Sequence, residues 1–255
     1  MQKTVHRDSV DYWKAATSID GGLSKAHPSP LDEVCKKYLN LLDIQQGHKV
    51  LDVGIGFGRF VDFYLSREAK IYGIDIDPKM IDDVKTSYGD KCHDLRVASV
   101  VDTGFECGFF DRIVCWGVFD ELDQGPALLA MGKLLKPGGR LIVTGKNCLY
   151  SQDDEQAMLA EKGARSKNHP NSFTDIPSLD FELFGVSVAH ARYFLRRGDF
   201  ASDISVTDLP ERFYEYLLIL ERTGELAVTM DDLPVIARKH SKTWLESRID
   251  RDLSQ

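Results

Sequence analysis

Apolar and polar positions along the middle of the chain form blocks of two kinds, short apolar runs and longer stretches with helical periodicity. The short runs predict strands at residues 48–53, 70–75, 95–99, 112–117 and 140–144. The longer stretches predict helices at residues 59–67, 78–88 and 123–135. Strands that are separated by helices of this length predict a parallel sheet with helices on both faces.

The second half of the chain is less regular. It predicts helices at residues 153–165 and 173–183 and two late strands at residues 187–195 and 214–221. We expect one domain over residues 1–222, with a helical N-terminal segment at 1–40 and a helical extension at 223–255. That extension is compatible with a homodimer contact and equally with a helix folded back on its own chain.

The composition excludes several classes of protein. Forty acidic residues against 32 Lys and Arg give a net charge of −8, which argues against a nucleic-acid or anionic-membrane partner. The chain has no apolar run of the roughly 20 residues that span a bilayer, and its N-terminus lacks the apolar core of a signal peptide. Five cysteines without a Cys-x-x-Cys pair indicate a reduced, cytoplasmic protein with no metal site.

A glycine-rich loop follows the first predicted strand, in the run Asp52-Val53-Gly54-Ile55-Gly56-Phe57-Gly58. Glycines at this place let the backbone turn sharply and approach a ligand. Asp75 ends the second predicted strand, where a carboxylate can accept hydrogen bonds from both ribose hydroxyls. The loop and this acid together predict a site for an adenosine-containing cofactor.

A nicotinamide dinucleotide is the competing hypothesis for this site. Its fingerprint has a third glycine three positions after the second, which helps the pyrophosphate to meet a helix N-terminus. The chain has Arg59 at that position, and Gly58 comes one residue early. S-adenosylmethionine has no pyrophosphate, so the spacing favours it.

Four segments carry a family resemblance, in the same order as in the family. They are residues 50–60, 71–80, 110–114 and 134–141. Together they resemble the class I S-adenosylmethionine-dependent methyltransferases. The resemblance implies an α/β, Rossmann-like, seven-stranded and mostly parallel sheet with helices on both faces, an antiparallel strand at 213–221 and an N-terminal helical lid.

The resemblance also implies which residues bind the cofactor. Gly54 and Gly56 would lie against the methionine part, Asp75 would bind the ribose, and Asp52 would lie near the amino group. Ile76 would pack on the adenine, although an ordinary core position is the alternative, and Ser99 or the nearby Asp102 would contact the adenine amino group. The full predicted set is Asp52, Gly54, Gly56, Gly58, Asp75, Ile76, Ser99, Val100 and Trp116.

The catalytic candidates follow the fourth predicted strand. Asp120 and Glu121 occupy the region where many small-molecule relatives have histidines, and either acid is a candidate general base. The alternative is that they cap and begin the helix that follows. His169 is a third candidate, with a surface histidine beside Pro170 as its alternative.

Loop positions supply the candidates for substrate binding, since such contacts concentrate there. They are Tyr12, Lys146, Asn147, Tyr150 and Arg196. The Gly-Lys-Asn-x-x-Tyr and His-Pro-Asn-x-Phe patterns are loosely similar to methyltransferases that are found with bacterial surface-polysaccharide genes. That similarity implies a sugar or nucleotide-sugar acceptor and a role in polysaccharide biosynthesis.

The favoured hypothesis is therefore methyl transfer to an oxygen or nitrogen of a small molecule. A macromolecular methyltransferase is the second hypothesis, and the acidic charge and the absence of Pro-Pro-Tyr/Phe and Pro-Cys motifs argue against a DNA substrate. A protein that binds the cofactor without catalysis is the third, because acids stand in place of the common histidines.

Overall fold

The computed structural model describes residues 30–147, 149–166 and 179–224. Its centre is one seven-stranded sheet in the order β3-β2-β1-β4-β5-β7-β6. The strands are β1 (Lys49–Val53), β2 (Lys70–Asp75), β3 (Asp94–Val97), β4 (Phe110–Cys115), β5 (Leu135–Lys146), β6 (Val186–Phe194) and β7 (Glu215–Arg222).

In the described part of the chain, five helices connect and flank these strands. They are α1 (Pro30–Leu39), α2 (Val61–Ser66), α3 (Pro78–Tyr88), α4 (Gln124–Leu134) and α5 (Glu155–Ser166). Short 3₁₀ turns lie at Asn40–Leu42, Gly89–Lys91, Phe119–Glu121 and Phe181–Phe184. The start of α3 follows from its sequence, since Pro78 fits the first turn and the Asp77 carboxylate accepts a hydrogen bond from the Lys79 N–H at 2.9 Å.

The sheet is parallel from β3 to β5 and antiparallel at its other side. β7 lies between β5 and β6 and runs antiparallel to both. The chain order reverses between β1 and β4, because β1 pairs with β2 on one side and with β4 on the other. In open sheets a ligand crevice forms beyond the carboxyl ends of the strands at such a reversal.

Two apolar clusters cover the two faces of the sheet. Along β7, Leu218 and Leu220 belong to one cluster, whereas Leu217 and Ile219 belong to the other. This alternation shows that β7 is buried on both faces, as its dense apolar sequence indicates.

The predicted fold class is confirmed, and most predicted elements lie within a few residues of the observed ones. The fifth strand differs: it begins at Leu135, because Leu135 pairs with Phe110 of β4, and the register shifts before Arg140 pairs with Arg112. The helix that was predicted at 173–183 falls partly outside the described residues. Its described end holds only the 3₁₀ turn Phe181–Phe184, which stops at Gly185 in a left-handed conformation.

A search of the described helices for bilayer-spanning length and apolarity gives no candidate.

We expect Phe110→Ala to lower the free energy of unfolding by about 3–5 kcal/mol. Phe110 is fully buried, and its ring lies edge-on to Tyr72 and Phe105 at 5.4 and 5.0 Å between centroids. Leu159→Ala on the surface of α5 is the control, because its side chain is 69% exposed. Urea unfolding measures both, and equal losses would contradict the assignment of Phe110 to the core.

Candidate active site

The glycine loop forms a cradle at the carboxyl end of β1. Gly54, Gly56 and Gly58 all have left-handed backbone conformations, with φ of 70°, 52° and 77°. A Cβ at Gly54 would lie 2.6 Å from Cγ2 of Val118, in the segment that follows β4. The loop therefore needs glycine at its first position, and it contacts the neighbouring strand end directly.

Asp75 closes this cradle from the end of β2. One carboxylate oxygen accepts a hydrogen bond from the Gly56 N–H at 3.0 Å and the other from the Asp77 N–H at 2.9 Å. Burial raises the pKa of Asp75, and the backbone N–H groups of Asp77 and Gly56 oppose that rise. The carboxylate is thus held in one orientation beside the loop, and each oxygen keeps acceptor capacity for a ligand hydroxyl.

Asp52 is the next-to-last residue of β1, directly before the glycine loop. It is buried, and its carboxylate accepts a hydrogen bond from the Tyr64 hydroxyl at 3.0 Å. Burial raises the pKa of Asp52 to about 7, against the effect of the Tyr64 hydrogen bond and in the same direction as the charge of Asp75. A buried carboxylate with a raised pKa is stabilised when a cationic group lies beside it.

The residues predicted to contact adenine lie beyond β2 and β3. Ile76 and Ser99 are half-buried, and Val100 is buried. Ser99 forms a tight turn in which its carbonyl accepts a hydrogen bond from the Asp102 N–H at 3.0 Å. These positions leave Ile76 and Ser99 accessible to a ligand, and their contact with adenine stays a prediction.

Trp116 follows β4 and lies in an aromatic cluster. Its ring is edge-on to Phe60 at 5.3 Å and to Phe200 at 5.8 Å between centroids. The side chain is half-buried, so packing accounts for part of its surface, and a contact with the cofactor stays a prediction.

Asp120 and Glu121 lie in the 3₁₀ turn Phe119–Glu121, separate from the helix that follows. The alternative that they cap that helix is wrong, because α4 begins at Gln124 with Asp123 at its N-cap position. Asp120 is buried, and its carboxylate accepts a hydrogen bond from the Lys146 N–H at 3.2 Å. Burial and the nearby Glu121 raise the pKa of Asp120 to about 7, although Lys146 opposes this.

Gly145, next to Lys146 in β5, makes room for Asp120. A Cβ at this glycine would lie 2.9 Å from Oδ1 of Asp120 and 2.6 Å from the hydroxyl of Tyr216. The buried position of the Asp120 carboxylate therefore depends on the missing side chain.

Lys146 ends β5 among several carboxylates. Its ammonium lies 3.8 Å from Oε1 of Glu161 on α5. Burial lowers the pKa of Lys146, but the charges of Asp120, Glu161, Glu121 and Glu215 raise it further than burial lowers it. We call Asp120, Glu121, Glu161 and Glu215, grouped around Lys146, the acid cluster.

A tyrosine and an arginine complete the surroundings of this cluster. The Tyr214 hydroxyl donates to Oε1 of Glu161 at 2.6 Å and accepts from Nη1 of Arg197 at 3.0 Å. Burial raises the pKa of Glu215 to about 7, while Arg197 and Lys146 oppose the rise. Sequence analysis missed Glu161, Tyr214 and Glu215, because they lie in a helix and an apolar strand whose patterns predict only packing.

Two predicted substrate residues are part of the core. Asn147 is fully buried, and its amide nitrogen lies 3.3 Å from the carbonyl of Leu149 and 3.4 Å from that of Phe213. Tyr150 is 9% exposed and lies edge-on to Tyr214 at 5.7 Å. Their contacts named here are with the protein, although the buried Oδ1 of Asn147 has no hydrogen-bond partner within the described residues, and a role in substrate binding stays a prediction.

Arg196 is exposed, and an acid already pairs with it. Its Nη2 donates to the Asp153 carboxylate at 2.7 Å, and the Arg197 backbone N–H donates to the Asp154 carboxylate at 2.7 Å. Asp154 in turn accepts from the Ala157 N–H, which fixes the start of α5. This loop therefore fastens α5 to the end of β6. The other two predicted residues, Tyr12 and His169, lie outside the described residues.

Within the described ranges, no three or more His, Cys, Asp or Glu side chains are arranged to hold a metal ion.

Comparison with known proteins agrees with this geometry. Residues 51–143 match the family described as "Methyltransferase domain". Phosphoethanolamine N-methyltransferase 3 of Arabidopsis thaliana is 33% identical over 117 residues, which cover 44% of this chain and 24% of that protein. Ubiquinone biosynthesis O-methyltransferase of Xanthomonas oryzae pv. oryzae (strain PXO99A) is 31% identical over 140 residues, which cover 53% of this chain and 56% of that protein.

A solved structure has the same fold over most of the chain. Geranyl diphosphate C-methyltransferase of Streptomyces coelicolor A3(2), in complex with Mg²⁺, geranyl diphosphate and S-adenosyl-L-homocysteine, aligns with a TM-score of 0.61 and 13% identity. The alignment covers 86% of this chain and 98% of that one. Residues 51–143 therefore match a methyltransferase domain, and the described residues share the Rossmann-like fold of that methyltransferase, which agrees with the predicted resemblance. The chain spans about a quarter to about half of the length of the two curated relatives above.

We expect Asp52→Asn to stabilise the protein at alkaline pH. Because the pKa of Asp52 is higher in the folded chain than in the unfolded chain, the native state loses stability as the pH rises from about 4 to about 7. Asparagine can still accept the Tyr64 hydrogen bond and carries no charge. The free energy of unfolding at pH 8 should therefore rise by about 1–3 kcal/mol, with a smaller change at pH 5.

Urea unfolding at the two pH values measures this change. Asp82→Asn on the exposed side of α3 is the control and should leave stability unchanged at both. If Asp52→Asn instead loses stability at pH 8, the claim that burial of the charged Asp52 carboxylate destabilises the fold is wrong.

Proposed function

We propose that this protein transfers a methyl group from S-adenosylmethionine to an oxygen or nitrogen of a small molecule. One observation carries the proposal: Val118 contacts the glycine loop, and Asp120 lies two residues further in the same segment. The glycine loop, which would bind the methyl donor, and the buried Asp120 carboxylate therefore lie at neighbouring strand ends. A methyl donor and its acceptor would meet at this place.

The residues fit S-adenosylmethionine in several respects. Three left-handed glycines leave the backbone of the loop open to close approach, and Asp75 offers a carboxylate in a fixed orientation for the two ribose hydroxyls. The buried Asp52 suits the ammonium group of the methionine part. The bound cofactor would supply an electrophilic methyl group on a sulfonium.

The protein's part in the reaction is mainly positioning. Methyl transfer is an in-line displacement, so holding the acceptor atom in line with the methyl carbon supplies most of the rate enhancement. The acceptor would lie beyond β4 and β5, where Asp120 can take a proton from it. A carboxylate with a pKa of about 7 is well matched to that role near neutral pH.

A sugar or nucleotide-sugar acceptor is the finer hypothesis that the sequence motifs imply, and the geometry favours it less. Lys146 lies near the carboxylate of Glu161, and Arg196 pairs with that of Asp153, so both cations among the predicted substrate-binding residues face acids. The curated relatives are named for N- and O-methyl transfer, and both are compatible with the proposal.

We expect Asp75→Asn to weaken S-adenosylmethionine binding at least tenfold, a change of about 1.4 kcal/mol or more. The substitution removes one of the two acceptor oxygens that would bind the ribose hydroxyls. Calorimetric titration with S-adenosylmethionine and S-adenosylhomocysteine measures the dissociation constants. Asp82→Asn provides the same charge change at an exposed position of α3 and should bind normally. If the wild type binds neither compound at millimolar concentration, the proposed function is wrong.

We expect Asp120→Asn to lower kcat by roughly 10- to 1000-fold, because it removes the proton acceptor. The kcat of the wild type should rise as the pH passes through about 7, where Asp120 becomes ionised, and then reach a plateau. The variant should lose this rise. The measurement follows S-adenosylhomocysteine formation with an acceptor that is found by screening small amines and nucleotide sugars.

Two companion variants sharpen this test. Asp123→Asn changes an exposed acid three residues later and should retain full turnover. Glu121→Gln tests the neighbouring acid. Full turnover in Asp120→Asn would exclude Asp120 as the base, and loss confined to Glu121→Gln would transfer that role to Glu121.

A further inference from the structure

Among the residues that the structure describes, the acid cluster contains more negative than positive groups. Four carboxylates surround Lys146, the cation that they share, and the second cation nearby, Arg197, donates to the hydroxyl of Tyr214. Removing carboxylates from water is costly unless opposite charge or hydrogen bonds compensate them. The raised pKa values of Asp120 and Glu215 have burial as their main cause, and they agree with incomplete compensation.

Glu161 has an oxygen that the protein does not use. The side chain is nearly fully buried on α5, and its Oε1 accepts from the Tyr214 hydroxyl and faces Lys146. Within the described part of the chain, its buried Oε2 has no hydrogen-bond partner. A buried carboxylate oxygen without a donor is unfavourable, so it indicates a place for a donor that the protein itself does not supply.

The position of Glu161 is fixed by contacts on two sides. Tyr214 holds its other oxygen at 2.6 Å, and Arg197 holds Tyr214 in turn. The start of α5 is fastened through Asp154, which accepts from the backbone of Arg197 and of Ala157. An oxygen that is held this firmly is preorganised for a ligand.

This oxygen lies on the acceptor side of the site. Lys146 and Glu215 are register partners at the end of β5 and the start of β7, and Asp120 accepts from the backbone of Lys146. Asp120 is linked through Val118 to the glycine loop. The acid cluster and the cofactor loop thus lie along the same edge of the sheet, with the acid cluster on the side of β7.

We infer that the methyl acceptor carries a cationic amine or quaternary ammonium group, which Glu161 and Glu215 bind, and that Glu161 is a specificity-determining residue. The inference rests on the proposed function, of which it names the substrate class. An ammonium group brings the positive charge that the cluster lacks, and a protonated amine also brings N–H donors for Oε2 of Glu161. A phosphorylated or carboxylated acceptor without a cationic nitrogen would instead add charge of the wrong sign.

The test uses matched probes that differ in charge and hardly in shape. Choline is compared with its neutral isostere 3,3-dimethyl-1-butanol, and ethanolamine with ethylene glycol. Binding to the full chain in the presence of S-adenosylhomocysteine is measured by ligand-observed NMR at pH 8. We expect at least a fivefold preference for the cationic member of one or both pairs.

Variants decide which residue causes the preference. Glu161→Gln should abolish it, whereas Glu155→Gln, an exposed acid on the same helix, should retain it. Glutamine can still accept the Tyr214 hydrogen bond, so the fold should persist, and thermal unfolding checks this. If Glu161→Gln does not fold, Glu215→Gln serves as the second variant and should reduce the preference at least threefold.

The outcomes separate this inference from the proposed function. Equal binding of cationic and neutral probes to the wild type, or a preference that is unchanged in both variants, would overturn the inference. Failure of S-adenosylmethionine to bind in the titration above would overturn the proposed function instead, since the two measurements use different ligands. A cationic preference that Glu161→Gln removes and Glu155→Gln keeps would support the inference.

Discussion

The close contact between Gly54 and Val118 is the constraint on which the candidate site depends. Gly54 follows β1 and Val118 follows β4, so the contact joins the two strands between which the chain order reverses. A side chain on Gly54 would push the segment after β4 away, and with it Asp120. The glycine therefore sets both the shape of the cofactor cradle and the distance from the cradle to the acids beyond β4.

The cofactor half of the molecule could be predicted from the sequence, because its signals are local. Glycines in a loop, Asp75 at a strand end and the Asp77-Pro78 start of α3 each follow from residues a few positions apart. Predicted and observed bounds agree to the residue for β2 and α3. The segment before residue 140 was less predictable, since pairing of Leu135 with Phe110 is a tertiary effect that extends the strand through a Pro-Gly-Gly run.

The surroundings of Lys146 were harder to predict from the sequence for a physical reason. Glu161 and Glu215 are separated by 54 positions, and only the antiparallel placement of β7 and the docking of α5 bring both to Lys146. Tyr214 begins a run that reads as core in sequence, yet its hydroxyl connects Arg197 to Glu161. Polar loop residues such as Asn147 were predicted to contact substrate. Backbone carbonyls of a buried loop also need hydrogen-bond donors, and the Asn147 side chain donates to those of Leu149 and Phe213.

The family match covers only part of the acid cluster, because Asp120 and Glu121 lie within the matched segment and the other members do not. The matched segment ends at residue 143, whereas Lys146, Glu161 and Glu215 all come later. The matched segment contains the glycine loop and Asp75, whereas α5 and the end of β6, which Arg196 and Arg197 join to each other, lie outside it.

Gly145 affects the surroundings of Asp120 but not the glycine loop. Its missing side chain leaves the space that Asp120 and Tyr216 occupy, while the cofactor cradle lies on other strands. A single codon change to alanine would displace the carboxylate and leave the cradle intact. Position 145 is therefore one at which a single substitution would alter the surroundings of the buried carboxylate without altering the glycine loop.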